Sequence, residues 1–140
     1  MMTEKFKILS EFIKDMSSET ADIQTYLFVK DNIHKYHLNI EITSKALKNN
    51  LVEVNTNLKF SDNEGSEKKS YFEIIYTSVV KVEENIKDKN DLQKILLCDV
   101  QKEIFPKLEK SFLSMLESSG FTGVKLKKID FDKLYKEKFN

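Results

Sequence analysis

One cysteine, three glycines and no excess of either charge are the scarcities of this sequence, and each removes a class of function. With Cys98 as the sole cysteine, no disulfide can close within the chain and no thiolate metal cluster can form in it. Both points suit a reducing cytoplasm. Lys plus Arg and Asp plus Glu each number 23, so the formal net charge is zero, whereas a nucleic-acid binder usually carries a strong basic excess. Gly65, Gly120 and Gly123 make neither of the usual phosphate-cradling loops, and the last two read as a helix C-cap and a turn. Nowhere does an apolar run reach the roughly 18 residues of a membrane span, and MMTEKFKILSEF is too polar for a signal peptide.

What is present fits a soluble globular protein. The 140 residues are 40% apolar and 33% charged, enough for one domain over residues 1–140 with a real core. The first part reads as strands. In YHLNIEITS, Tyr36, Leu38, Ile40 and Ile42 point one way, and His37, Asn39, Glu41 and Thr43 the other. LVEVNTNLKF repeats the alternation, which marks half-buried strands. Lys48 to Asn50 and Ser61 to Lys69 are rich in turn formers and join neighbouring strands as hairpins. SYFEIIYTSVVKV carries apolar residues on both faces. A further strand, around Phe6 to Ile13, opens the chain. The link from about Ser17 to Lys35 is long for a small domain, which suggests a crossover or a functional segment.

After Asn85 the period becomes helical. Leu92, Ile95 and Leu96 share a face behind a cap at Asn90 or Asp91. Pro106 disfavours helix at Phe105 and suits the first turn of a new helix. That helix aligns Phe105, Leu108, Phe112, Met115 and Leu116 and stops at SSG. A last helix starts at Asp130, with Ile129 and Leu134 placed as a hydrophobic staple and a stripe of Phe131, Leu134, Tyr135 and Phe139. Strands first and helices last indicate an α+β fold, an antiparallel sheet with helices packed on it.

Candidate chemistry is sparse. Asp15 and Glu19 in FIKDMSSETA could be a metal site, an acid–base pair, a docking patch or solvated charge. His34 and His37 in DNIHKYH are three apart, which puts them on opposite faces of a strand, so they read as polar surface residues rather than metal ligands. Neither has an identifiable nucleophile partner. Cys98 sits among apolar helical neighbours and reads as a small buried residue. KLKKIDF reads as a solvated turn before a helix. What remains is surplus apolar surface, Tyr26, Leu27 and Phe28 in the crossover and the second face of YFEIIYTSVV, which suggests binding of other polypeptides.

FIKDMSSETA resembles the first-strand motif of the SecB family of bacterial protein-export chaperones. IFPKLEKSFLSMLESSGF followed by IDFDKLY is similar to that family's helix and C-terminal signature, and FEIIYTSVV lies between them. The resemblance covers nearly the whole chain in order. It implies a four-stranded antiparallel sheet with C-terminal helices on one side, assembled as a homotetramer, a dimer of dimers. It also implies an ATP-independent holdase, not an enzyme and without a cofactor. Such a protein binds unfolded preproteins in the cytoplasm and delivers them to the SecA motor of the Sec pathway, without inserting into a membrane. By position, Asp15, Glu19, Tyr71 and Glu73 match SecA-docking residues, and Phe72, Ile74 and Tyr76 match positions tied to tetramer assembly. Client binding is expected of Phe28, Tyr36, Leu38, Ile40, Phe121, Tyr135 and Phe139.

The chain departs from the family in three ways. Asn32 stands where a tryptophan is usual, Thr77 and Ser78 replace paired glycines, and the chain is neutral rather than acidic, ending at Asn140 just after its last helix. Docking is therefore expected to rest on the sheet acids. Two other functions compete: a SecB-like chaperone dedicated to one client such as an antitoxin, and a small enzyme or lipid carrier, which would need a closed pocket with convergent polar groups.

Overall fold

The computed structural model describes residues 5–62 and 64–139, with the backbone alone for 138 and 139. Strands β1 (Phe6–Glu19), β2 (Tyr36–Ala46), β3 (Leu51–Asp62) and β4 (Tyr71–Val82) form one antiparallel sheet in the order β1-β4-β3-β2. Two hairpins join β2 to β3 and β3 to β4. The first turns through Asn49 and Asn50, both at positive φ (62° and 61°). Primed hairpin turns require such angles, and Asn tolerates them better than most side chains.

β1 reaches the far side of the sheet by a crossover that contains helix α1 (Ile23–Asn32) and a 3-10 turn (Ile33–Lys35). Asp22 caps α1, its carboxylate accepting from the Thr25 N–H at 2.8 Å. The strand is longer, and the link shorter, than the sequence suggests. Alternation along β1 is broken because its register against β4 slips between Ile8 and Ser10 and again between Ile13 and Asp15. Leu9 and Lys14 are the extra residues at these two bulges.

The helical part differs from expectation in two respects. Helix α2 (Lys89–Lys94), a π-helical turn (Ile95–Asp99) and α3 (Val100–Ser118) follow one another without a break, and Pro106 lies inside α3. The cap is Asp88, which accepts from the Asn90 N–H, rather than Asn90 or Asp91. An interior proline costs roughly 3 kcal/mol. Ile104, Leu108, Phe112 and Leu116 are all fully buried, and each such burial contributes about 1.5–3 kcal/mol, which carries the helix through. After an extended segment, α4 (Phe131–Phe139) begins behind Asp130, which accepts from the Lys133 N–H.

The helices lie on one face of the sheet. Val54, Leu58, Ile74 and Val80 meet α3 there, and the rings of Phe60 and Phe112 cross edge to face at 6.4 Å. Gln101, buried in the same layer, accepts from the Thr56 hydroxyl at 3.0 Å and donates to the Leu96 carbonyl. Among the described residues the other face of the sheet carries no helix, which leaves it open for function.

Candidate functional site

Antiparallel partners directly opposite one another share a face of the sheet. Glu19 pairs with Tyr71, Ser17 with Glu73 and Asp15 with Ile75. The four residues expected to dock a partner, Asp15, Glu19, Tyr71 and Glu73, therefore stand together on the open face, on two adjacent strands. Asp15 and Glu19 are exposed and about 13 Å apart along β1. Tyr71 is 61% exposed. Lys59, opposite Glu73 on β3, makes a 3.6 Å ion pair with it. Ser17, Glu19, Lys59, Tyr71 and Glu73 line a shallow depression of about 320 Å³. The depression is open to solvent, with Asp15 and Glu19 exposed to cations of a second protein and Glu73 paired to Lys59.

The expected oligomer residues lie elsewhere. Phe72, Ile74 and Tyr76 alternate with Tyr71 and Glu73, so they face the helices, and they are 2%, 0% and 6% exposed within the single chain. Phe72 packs edge-on against Phe121 at 5.4 Å. The Tyr76 hydroxyl donates to Glu11 Oε1 at 2.9 Å while Lys107 holds Glu11 Oε2 at 3.1 Å. Burial and this carboxylate push the Tyr76 phenol up to about 12. The expectation that these three contact another copy is corrected: taken into the chain's own core, they have no surface to offer and can influence assembly only by setting α3 and β1.

The expected client residues divide. Phe28 is exposed on α1, and Leu38, Ile40 and Tyr135 are half-buried. Ile40 and Tyr135 line one cavity of about 210 Å³ between β2 and α4, together with Ile42, Leu97 and Leu134. Tyr135 also donates its hydroxyl to the Asn90 carbonyl at 3.2 Å. Tyr36 and Phe121, in contrast, are buried, a correction to their assignment as contact residues. Tyr36 accepts the Ser70 N–H at 3.0 Å and packs on Phe60, and burial raises its phenol. Both support the apolar surface from beneath. The side chain of Phe139 lies outside the described residues.

Leu27, expected from the sequence as surplus apolar surface, is 53% exposed on the outer side of α1. Other apolar residues escaped the sequence reading, among them Ile23, 66% exposed on the same helix. Asp22 followed by Thr25, with Ile23 and Leu27 four apart, is the signal that could have revealed this helix. On β1, Leu9, Phe12, Ile13 and Met16 are each more than 40% exposed along the free edge of the sheet. Cys98 is fully buried and donates to Asp132 Oδ1, while Lys102 pairs with Asp132 Oδ2 at 3.0 Å, so the three fasten α4 to the helix above. His34 and His37 are exposed, and no metal-holding cluster occurs among the described residues.

The family model for SecB, preprotein translocase subunit SecB, matches residues 1–140. The chain belongs to the SecB family. It is 57% identical over 140 residues to a putative protein-export protein SecB of Pelagibacter ubique, covering 99% of this chain and 100% of that one. The protein-export protein SecB of a Bradyrhizobium species is 23% identical over 133 residues, covering 95% of this chain and 81% of that relative. Among solved structures, a SecB-like chaperone of Mycobacterium tuberculosis, in complex with a ChAD peptide from the HigA1 antitoxin, superposes with a TM-score of 0.63 at 10% identity. The superposition covers 89% of this chain and 91% of that one, and at this identity it speaks to the α+β fold alone. SecB-family membership makes this chain a protein-export chaperone rather than an enzyme. Among the described residues no helix is long and apolar enough to cross a membrane.

Proposed function

We propose that this SecB-family chain is an ATP-independent holdase that binds unfolded preproteins in the cytoplasm and delivers them to SecA, acting as one chaperone domain over residues 1–140. The observation that carries the reading is the separation of two surfaces. Asp15, Glu19, Tyr71 and Glu73 gather on the helix-free face, and we assign them to SecA. Exposed and half-buried apolar groups collect at α1 and between β2 and α4, and we assign Phe28, Leu38, Ile40 and Tyr135 to clients. A loose set of apolar contacts, each worth about 25 cal/mol per Å² buried, tolerates clients of varied sequence. Assembly as a dimer of dimers belongs to the same proposal, with the free edge of β1 and its exposed apolar residues taking the role first given to Phe72, Ile74 and Tyr76.

The test is light scattering of the purified protein with an unfolded preprotein, without nucleotide, followed by SecA binding. A soluble complex and measurable SecA affinity are expected. Asp15→Lys with Glu73→Lys should abolish SecA binding while oligomer mass and client binding persist, and equal loss of all three would overturn the docking assignment. One stable folded partner with no SecA affinity would instead identify a chaperone dedicated to a single client.

A further inference from the structure

We propose that Tyr26 is the positioning residue of the client surface: it fastens α1 to the end of α3 and thereby sets where Ile23, Leu27 and Phe28 stand. This rests on the client-binding reading of α1. A helix of 10 residues does not hold together in water alone and depends on what it packs against. The buried residues of α1 are Thr25 and Val29, a small footing for a helix that turns three large apolar side chains outward.

Tyr26 supplies the rest. Its hydroxyl donates to the Gly120 carbonyl at 2.8 Å, and its ring lies 5.2 Å from that of Phe121. The receiving site is shaped for the ring. A Cβ at Gly120 would stand 2.7 Å from Tyr26 Cε1, inside any real contact distance, and the backbone there has a φ of +95°. Glycine at 120 is thus required both by its own backbone and by the ring of a residue on another element. Phe121 passes the contact inward by packing on Phe72 of β4, so the fastening ends in the rigid sheet. The chain leading into α1 is held nearby, where the hydroxyls of Ser18 and Ser119 lie 2.6 Å apart.

Successive residues of a helix are turned by about 100° about its axis. A seated Tyr26 therefore fixes the rotation of the helix, and with it the direction of Leu27 and Phe28, the next two residues. Without the seat, α1 is free to roll or fray, and the apolar ridge loses its fixed relation to the rest of the client surface.

Four variants measured side by side test this, using amide exchange over residues 22–32 and over β3 together with the affinity for an unfolded preprotein well below the melting temperature. Tyr26→Phe keeps the ring and should raise the opening of α1 about fivefold, the change one neutral hydrogen bond makes. Tyr26→Ala and Gly120→Ala should raise it tenfold or more and weaken client binding several-fold, with exchange in β3 and the oligomer mass unchanged. Leu27→Ser should weaken client binding and leave exchange in α1 as it was. If Leu27→Ser weakens binding and the Tyr26 variants do not, the positioning role fails while the client surface stands. If Leu27→Ser has no effect, the client reading of α1 fails and the proposal with it. Exchange that rises equally in α1 and β3 would reduce Tyr26 to an ordinary contributor to stability.

Discussion

Ile74 shows how one strand position differs from the next. It is fully buried under α3, whereas Glu73 faces the open side with Lys59. Ile74→Ala should therefore cost about 2–5 kcal/mol in urea unfolding, as large-to-small core changes do. A variant of unchanged stability that merely dissociates would contradict the core placement. Cys98 offers a second test at this scale. Burial pushes its thiol from near 9 up to about 11, and the hydrogen bond to Asp132 adds to the shift. A raised folded value means the associated stability is complete below pH 9 and is lost as pH rises toward 11. The melting temperature should fall over that window, and Cys98→Ala should flatten this part of the curve. Tyr76, raised from 10.0 to about 12, adds a further loss at still higher pH.

Among the elements, α3 makes the clearest case. Its course through Pro106 leaves the carbonyl of Lys102 without its usual helical donor. Pro106→Ala should stabilise the protein by about 1–3 kcal/mol, read from the urea midpoint at constant slope. No gain would mean that the proline costs this helix little where it stands. The same helix shows why some elements were legible in the sequence and others were not. β2 and β3 alternate cleanly because one face meets a core and the other meets water, and the apolar spacing of α3 and α4 is regular. Local preference at Phe105–Pro106 pointed to a break, and tertiary burial overrode it. β1 was read only as far as Ile13 because bulges at Leu9 and Lys14 interrupt its alternation. The site was half legible: alternation alone puts Tyr71 and Glu73 opposite Phe72 and Ile74, but which face the helices cover depends on pairings distant in sequence. Tyr36 and Phe121 look like contact residues because an aromatic ring reads the same whether it lies in a core or at a rim.

At the scale of the whole molecule, the two sides of the sheet are unlike and so are its two edges. The β1 edge is 14 residues long and carries Leu9, Phe12, Ile13 and Met16 at 42–48% exposure. An uncovered edge of this kind invites pairing with another chain. Beside it, Ile13 and Met16 floor a groove of about 380 Å³ against Met115 and the serines of α3. Ile13→Lys with Met16→Lys should lower the mass found by light scattering while the far-ultraviolet circular dichroism is unchanged. An unaltered mass would move the subunit contact elsewhere.

The two bulges of β1 also make the strand tolerant of a change in length. Each extra residue offsets the odd–even count of the residues after it, so Leu9 shifts the count and Lys14 shifts it back. Asp15, Ser17 and Glu19 look outward because each stands opposite an open-face residue of β4, Ile75, Glu73 and Tyr71. Deletion of Lys14 alone would join Ile13 to Asp15, which already stands opposite Ile75, so the bulge would close and both acids would keep the open face. Deletion of Leu9 would in the same way join Ile8, opposite Val80, to Ser10, opposite Val79, and turn no other side chain over. Along this strand, lineages are free to gain or lose a single residue at a bulge, and the surface beyond it keeps its face.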